Sequence, residues 1–187
     1  MVAYGPIVYI PLAFPFMWFL QRFGLRVSVV LGTWINAVGC GIQCFVPDGR
    51  QWIFLLHIGH ILIASVGPTV MSSPPQLSSV WFPPNQRTFA TALTTMSQSF
   101  GIALGFIIIP YLTRQYDIHT MLYVQAEMAL FVALLASIYF PPHPPTPPSL
   151  SAGTERINFK ASLKALVCNR AFLLLAVSGG LVNGASM

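Results

Sequence analysis

Glu127 is the only charged side chain inside an apolar run of this chain. A carboxylate at the centre of a bilayer costs about 2.5–3.5 kcal/mol on insertion scales, so a residue of this type there usually has a task. Taking up a proton or attracting a cation would suit it. His57 and His60 are three residues apart and share one helical face. Imidazole titrates near neutrality, so the pair is suited to sensing acid. No third ligand accompanies them, and no metal site is expected. Gln98 and Ser99 form a polar pair in the middle of an apolar run. Ser72, Ser73 and Gln76 flank Pro74-Pro75, and the carbonyls freed by a double proline can be satisfied by hydroxyls, amides or a bound molecule. Each feature also has a plainer reading. Glu127 lies two turns into its run, within reach of the interface. The histidines can form an interfacial polar patch, the prolines a kink, and the Gln98–Ser99 pair a link between helices.

The elements that hold these residues are set by composition. The 187 residues are 55% hydrophobic and 7% charged, with a mean hydropathy of +0.71. Soluble domains carry roughly 25% charged residues. A chain so poor in charge cannot cover a soluble surface, which makes it an integral, multi-pass membrane protein with the bilayer as its solvent. Five runs have the length of a membrane helix: roughly 3–20, 27–47, 52–76, 88–112 and 120–140, with a sixth starting near Ala171. They are too long and too evenly apolar for barrel strands. The expected fold is an all-α polytopic transmembrane bundle. Gly101 and Gly105 form a small-xxx-small pair for helix packing. Cys40 and Cys44 read as space-filling residues within an apolar run. Trp34, Trp52, Trp81 and Tyr111 read as interfacial anchors. No GxSxG, HExxH or phosphate-loop pattern occurs, so neither catalytic residues, an enzyme nor a cofactor is expected.

Seven of the nine Lys and Arg residues fall in alternate connections: Arg22 and Arg26, then Arg87, then Arg156, Lys160, Lys164 and Arg170. Only Arg50 and Arg114 lie in the others. The positive-inside bias places the first set in the cytosol, with Asp48, Asp117 and His119 on the lumenal or outer side. The net charge of +5 forms no basic stripe with interleaved aromatics, so no nucleic-acid partner is expected. The stretch FPPHPPTPPSL has six prolines between Pro141 and Pro148. As polyproline II it would reach roughly 25 Å as a semi-rigid cytosolic spacer. Both ends of the chain fall within apolar segments, AYGPIVYIPLAFPFMWFL and AFLLLAVSGGLVNGASM, and a longer protein is expected.

Several stretches resemble a known family. The turn QRFGLR resembles the loop between helices two and three of the major facilitator superfamily, roughly D-R-x-G-R-R. Arg22, Gly24 and Arg26 match it, and Gln21 replaces the usual acidic residue. GPTVMSSPPQLSSVWF (Gly67 to Phe82), followed by Arg87 and TFATAL, resembles the helix 4 to helix 5 region of solute carrier family 49, the feline leukaemia virus subgroup C receptor-related group. GIALGFIIIP resembles the helix that follows in that group. SIYFPPHPPTPPSLSAGTERINF is similar to the linker of the renal carcinoma branch. The resemblance implies an incomplete N-terminal half of the fold, with helices 2–6 in residues 1–140. It also implies a cytosolic inter-bundle linker in 141–170 and the start of helix 7 in 171–187. The implied function is transport of a small organic solute by rocking of two bundles. Relatives point to a vitamin- or cation-like solute such as pyridoxine or choline, with haem also proposed in the group.

Proton-coupled symport, and a lysosomal or endosomal membrane with the plasma membrane as alternative, are further implications of the resemblance. It makes Arg22, Gly24 and Arg26 a gating loop, without the carboxylate that a gating ion pair would use. In the receptor-related branch a glutamine on helix 5 helps hold the ligand; alignment on GIALGF places that position at Ser99, next to Gln98. The substrate-binding set is therefore Gln98, Ser99 and Gln76, and the proton-coupling set Glu127, His57 and His60. An alternative is a membrane scaffold or receptor that docks partners through its PxxP segment. No Lys or Arg flanks that segment.

Overall fold

The computed structural model describes residues 4–45, 53–141, 168–174 and 177–178. One compact unit, Met1–Gly153, contains α1 (Tyr4–Cys44), α2 (Ile53–Ser65), α3 (Gly67–Trp81), α4 (Arg87–Gln115) and α5 (Ile118–Tyr139). No strand occurs among its described residues. In the second unit, Thr154–Met187, residues 170–174 are helical. There the Ala171 N–H donates to Asn169 Oδ1 at 3.1 Å, a side-chain cap that satisfies one free N–H of the first turn. Asp48, Arg50, Trp52, the proline segment beyond Pro141, and the basic residues Arg156, Lys160 and Lys164 lie outside the described residues.

The stretch α1 is two helical arms broken at Gly24, whose φ of 85° and ψ of 173° are non-helical. Side chains rarely adopt that conformation, and glycine has none to obstruct it. The Ser28 hydroxyl then donates to the Gly24 carbonyl at 2.9 Å, closing the first turn of the second arm. The arms fold back on each other. A Cβ on Gly67 would lie 3.2 Å from the Tyr9 ring, while one on Gly32 would lie 3.1 Å from Val66. In one straight helix Tyr9 and Gly32 would be roughly 35 Å apart, yet both meet the same turn at the start of α3. The first two apolar runs are therefore separate spans.

The third run remains one candidate span, Ile53–Trp81, but it is not one continuous helix. It divides at Val66 into α2 and α3 and continues to Trp81. Pro68 has no N–H and its ring collides with the carbonyl four residues back, which kinks or breaks a helix, and here the helix breaks. The chain turns tightly instead, with Val66 N–H to Ile63 O at 3.2 Å and Thr69 N–H to Val66 O at 3.0 Å. Pro68 then lies in the first turn of α3, where its missing donor does no harm. Pro74 and Pro75 do not end α3, but they remove the N–H groups that would bond the carbonyls of Val70 and Met71. Nearby hydroxyls bond other carbonyls: Ser72 to Pro68, Ser73 to Thr69, Ser78 to Pro75 and Ser79 to Gln76.

Successive spans run antiparallel. Thr91 Oγ1 on α4 donates to Ser78 Oγ on α3 at 2.7 Å. Trp34 Nε1 donates to Ser137 Oγ on α5 at 3.0 Å, and near the other end of that pair the Cys44 thiol donates to Leu122 O at 3.3 Å. Trp34 thus links two helices through its ring N–H, while the ring itself stays exposed beside the last turn of α5. This alternation puts Arg22, Arg26 and Arg87 at one end of the bundle and Arg114 at the other. By length and apolarity Pro11–Cys44, Ile53–Trp81, Arg87–Gln115 and Ile118–Tyr139 can each cross a membrane, and the first contains the second arm and part of the first.

The core is made of small side chains. Ala37 and Cys40 of α1 pack on Ala129 and Ala133 of α5, with Ile63 and Ala126 beside them. Membrane helices have no hydrophobic drive toward one another, so close contact of small residues supplies the attraction. The closest crossing joins α1 to α2: a Cβ on Gly59 would lie 2.7 Å from the Gly39 carbonyl oxygen and 2.6 Å from Gln43 Cγ. Among the described residues no helix packs against the Gly101–Gly105 pair. A Cβ on Gly101 would meet nothing within 4 Å, and one on Gly105 only Ile109 of its own helix.

Gly59→Ala is expected to destabilise the protein by about 1–3 kcal/mol, since a backbone oxygen cannot yield as a side chain can. Gly41→Ala, with nothing within 4 Å of the added carbon, is expected to be neutral or slightly stabilising. Melting of the full-length protein in detergent distinguishes them: Gly59→Ala lowers the midpoint and Gly41→Ala does not.

Candidate functional site

The break between α2 and α3 faces the second arm of α1. Val29, Gly32, Thr33 and Asn36 recur at helical spacing on that arm, so they share a face, and they border a cavity of about 340 Å³. Ile63, Val66, Gly67, Thr69, Val70, Met71 and Ser73 form its other wall. Thr33 and Asn36 are midway along their arm and Gly67 midway along the α2–α3 span, so the cavity is at mid-depth in the bundle. A second cavity of about 290 Å³ shares Val29, Val70 and Ser73 with the first. It extends past Pro74 and Leu77 toward Thr94 and Gln98 of α4, with Leu25 and Phe140 at its end. Together they form one path from the middle of the bundle toward the Gly24 end.

Gln98 lines that second cavity, is half-buried, and directs Nε2 at Met71 Sδ, 3.8 Å away. Ser99 is exposed and its hydroxyl returns to Thr95 O at 3.2 Å. Gln76 is half-buried on α3. Neither Ser99 nor Gln76 lines these two cavities, so the structure separates Gln98 from the other two.

His57 is half-buried and His60 exposed, one turn apart on α2. Glu127 is exposed on α5, beside the Ala129–Ala133 stripe that packs on α1. All three lie in the part of the bundle away from Gly24, and none borders the mid-depth cavity. Among the described residues no group of three or more His, Cys, Asp or Glu converges to hold a metal. At the opposite end, Arg22 stacks with its guanidinium carbon 5.5 Å from the Trp18 ring centroid. Gly24 and Arg26 border a separate hollow of about 610 Å³, together with Trp34 and Ser137.

Thr33, Asn36 and Thr69 are residues that the sequence did not single out. They are uncharged and lie one or two to a run, and Thr69, although inside the GPTVMSSPPQLSSVWF stretch, carries no chemistry that marks it there. Their signal was the shared face of Val29, Gly32, Thr33 and Asn36, together with the Gly67-Pro68 break that brings Thr69 opposite it.

The family described as Major Facilitator Superfamily matches residues 1–187. The chain is 33% identical over 199 residues to the solute carrier family 49 member 4 homolog of Xenopus laevis, an alignment covering 95% of this chain and 43% of that protein. It is 33% identical over 193 residues to the choline/ethanolamine transporter flvcr2a of Danio rerio, covering 95% and 41% of the two. Against the choline/ethanolamine transporter FLVCR1 of Felis catus it is 29% identical over 195 residues, covering 96% and 34%. The chain therefore spans less than half the length of these relatives.

Gly24→Ala is expected to cost about 1–3 kcal/mol, because the φ and ψ of Gly24 fall in a region open essentially to glycine alone. No contact opposes the added methyl, since a Cβ there meets nothing within 4 Å. Gly24→Ala and Gly24→Val should therefore lower the melting midpoint of the full-length protein in detergent, with backbone strain common to both.

Proposed function

The chain belongs to the major facilitator superfamily, and from that premise we propose that it supplies helices of a transporter moving a small organic solute by alternating access. The observation that carries this reading is the mid-depth cavity, bordered by Thr33, Asn36, Thr69 and Ser73 in an otherwise apolar bundle. Sites near the bilayer midplane beside interrupted helices are what this mode of transport uses. The α2–α3 break supplies such an interruption. The names of two relatives, choline/ethanolamine transporters, support a small polar solute, and pyridoxine- or choline-like compounds are the proposed class.

In this reading Gln98 contacts the solute along the path between the cavities, with Ser99 and Gln76 on the flanking turns. Glu127, His57 and His60 supply proton coupling from the end away from Gly24. Arg22, Gly24 and Arg26 form the gating turn, and a lysosomal or endosomal membrane is the proposed location. Protons are then a transported partner alongside the solute. Gating would rest on the glycine break and on Arg22 stacked over Trp18, since Gln21 offers no carboxylate.

The test is uptake of labelled pyridoxine and choline by the full-length protein at a lumenal pH of about 5 and about 7. Transport out of an acidic lumen is expected to be faster at the lower pH. Glu127→Gln permanently mimics the protonated carboxyl, so it should flatten that dependence and reduce coupled uptake roughly tenfold. Gln98→Ala should raise KM with a smaller effect on the maximal rate. Failure to move either compound would overturn the proposed substrate class, and uptake indifferent to pH in the unmodified protein would remove the coupling role of Glu127 and the histidines.

A further inference from the structure

The hollow of about 610 Å³ beside Gly24 is larger than either cavity of the solute path and shares only Leu25 with them. Val27, Val30, Leu31 and Trp34 line it at helical spacing, so they form one apolar stripe along the second arm of α1. Ser137 of α5 closes the far end, where it accepts the Trp34 ring N–H at 3.0 Å. Phe23, Val27, Leu31 and Trp34 are all exposed, so the hollow opens sideways from the bundle. In a chain whose solvent is a bilayer, an open lateral face of this kind meets lipid. From Val27 to Trp34 the stripe extends roughly 10 Å, against about 15 Å for one leaflet of hydrocarbon.

Arg26 borders the end of the stripe next to Gly24 and is half-buried. Among the described residues no hydrogen bond or ion pair engages its guanidinium, whereas Arg22, on the other side of the glycine break, stacks on Trp18. The lining of the hollow includes no carboxylate. Asp117 and Glu127, the acidic residues described, lie on α5 away from its Gly24 end. A guanidinium is a planar fork of donors that matches phosphate oxygens two at a time. One cation continuous with an apolar stripe is the complement of an amphiphile, with a charged head and a hydrocarbon tail. A soluble anion would leave the stripe bare, and an uncharged lipid would leave Arg26 without a counter-charge. Basic pockets between membrane helices on the cytosolic side are sites for anionic head groups.

We propose that this hollow binds an anionic phospholipid of the leaflet on the Gly24 side, its phosphate on Arg26 and an acyl chain along the Val27–Trp34 stripe. Arg22, Arg26 and Arg87 share this end of the bundle, which makes that leaflet the cytosolic one, where anionic lipids give the surface its negative potential. The lipid head supplies Arg26 with the counter-charge that Gln21 cannot offer. The site asks only that the bundle span a bilayer, so it stands apart from the identity of the transported solute.

The experiment puts the photoreactive residue p-benzoylphenylalanine in place of Leu31 in the full-length protein, held in nanodiscs of phosphatidylserine and phosphatidylcholine in equal parts. After illumination, mass measurement is expected to show a phospholipid adduct, with the serine lipid favoured about fivefold, the worth of one basic side chain near an anionic surface. Arg26→Gln should bring that ratio to about one, and Arg26→Lys, which keeps the charge, should retain a preference. The same reporter in place of Ile107, exposed on α4, should label both lipids equally. Each ratio is internal to one protein, so a lower yield of folded variant does not alter it. Equal labelling at position 31, the same preference at position 107, or a ratio unchanged by Arg26→Gln would each overturn the site. So would an adduct with the protein's own proline segment or another helix in place of lipid, or no adduct at all. Excess soluble glycerophosphoserine should leave the preference intact; its loss would mean that Arg26 takes a free phosphate and the apolar stripe plays no part.

Discussion

Hydrocarbon offers no hydrogen bonds, so a chain immersed in it must satisfy its backbone from within, and this condition governs the structure. Regular helix meets it along most of α1, α4 and α5. The exceptions lie at glycine and proline, and at these points the bundle acquires features other than stacked helices. Gly24 allows the chain to reverse. Pro68 divides one span into two helices, and Pro74 with Pro75 leaves two carbonyls without their usual donors. The mid-depth cavity lies beside the last two of these breaks.

Such a break holds its shape only against a firm neighbour. The second arm of α1 supplies one by packing on α2 through Gly39 and Gly59 and on α5 through Ala37, Cys40, Ala129 and Ala133. Small residues bring backbones close, which fixes the height of Thr33 and Asn36 relative to the α2–α3 junction. The Trp34–Ser137 and Cys44–Leu122 hydrogen bonds hold the same arm at two levels of α5. By contrast, none of the most apolar window of α4 is buried, and its main tie to α3 is the Thr91–Ser78 bond. The closest packing in the described bundle is therefore among α1, α2 and α5, and Gln98 projects from the helix with the least buried face.

Much of this architecture could be read from the chain because bilayer thickness converts runs of apolar residues into spans. The turn at Gly24 was legible because basic residues and a glycine interrupt two such runs. The α2–α3 break was less so, since hydropathy does not register a change of backbone direction inside one apolar stretch, although Pro68 carried the steric cause. Gly101 and Gly105 show the reverse problem: the spacing permits close packing, but nothing in one sequence says whether a partner is opposite. Site residues were harder still. Glu127 and the histidines stand out because charge is rare here, whereas Thr33, Asn36 and Thr69 gain meaning only from the fold that brings two helices face to face.

The titratable residues and the cavity occupy different depths, and that separation bears on mechanism. Protonation of His57, His60 or Glu127 cannot act on a solute in the mid-depth cavity by direct contact, because none borders it. Any coupling would have to pass through a structural element, and α2 is the element best placed to carry it. It bears both histidines, crosses α1 at the Gly39–Gly59 contact, and ends at Ser65, one residue before the turn that opens the cavity. A small displacement of α2 cannot be absorbed at Gly59, where backbone meets backbone, so it would be passed on to the Val66–Thr69 turn.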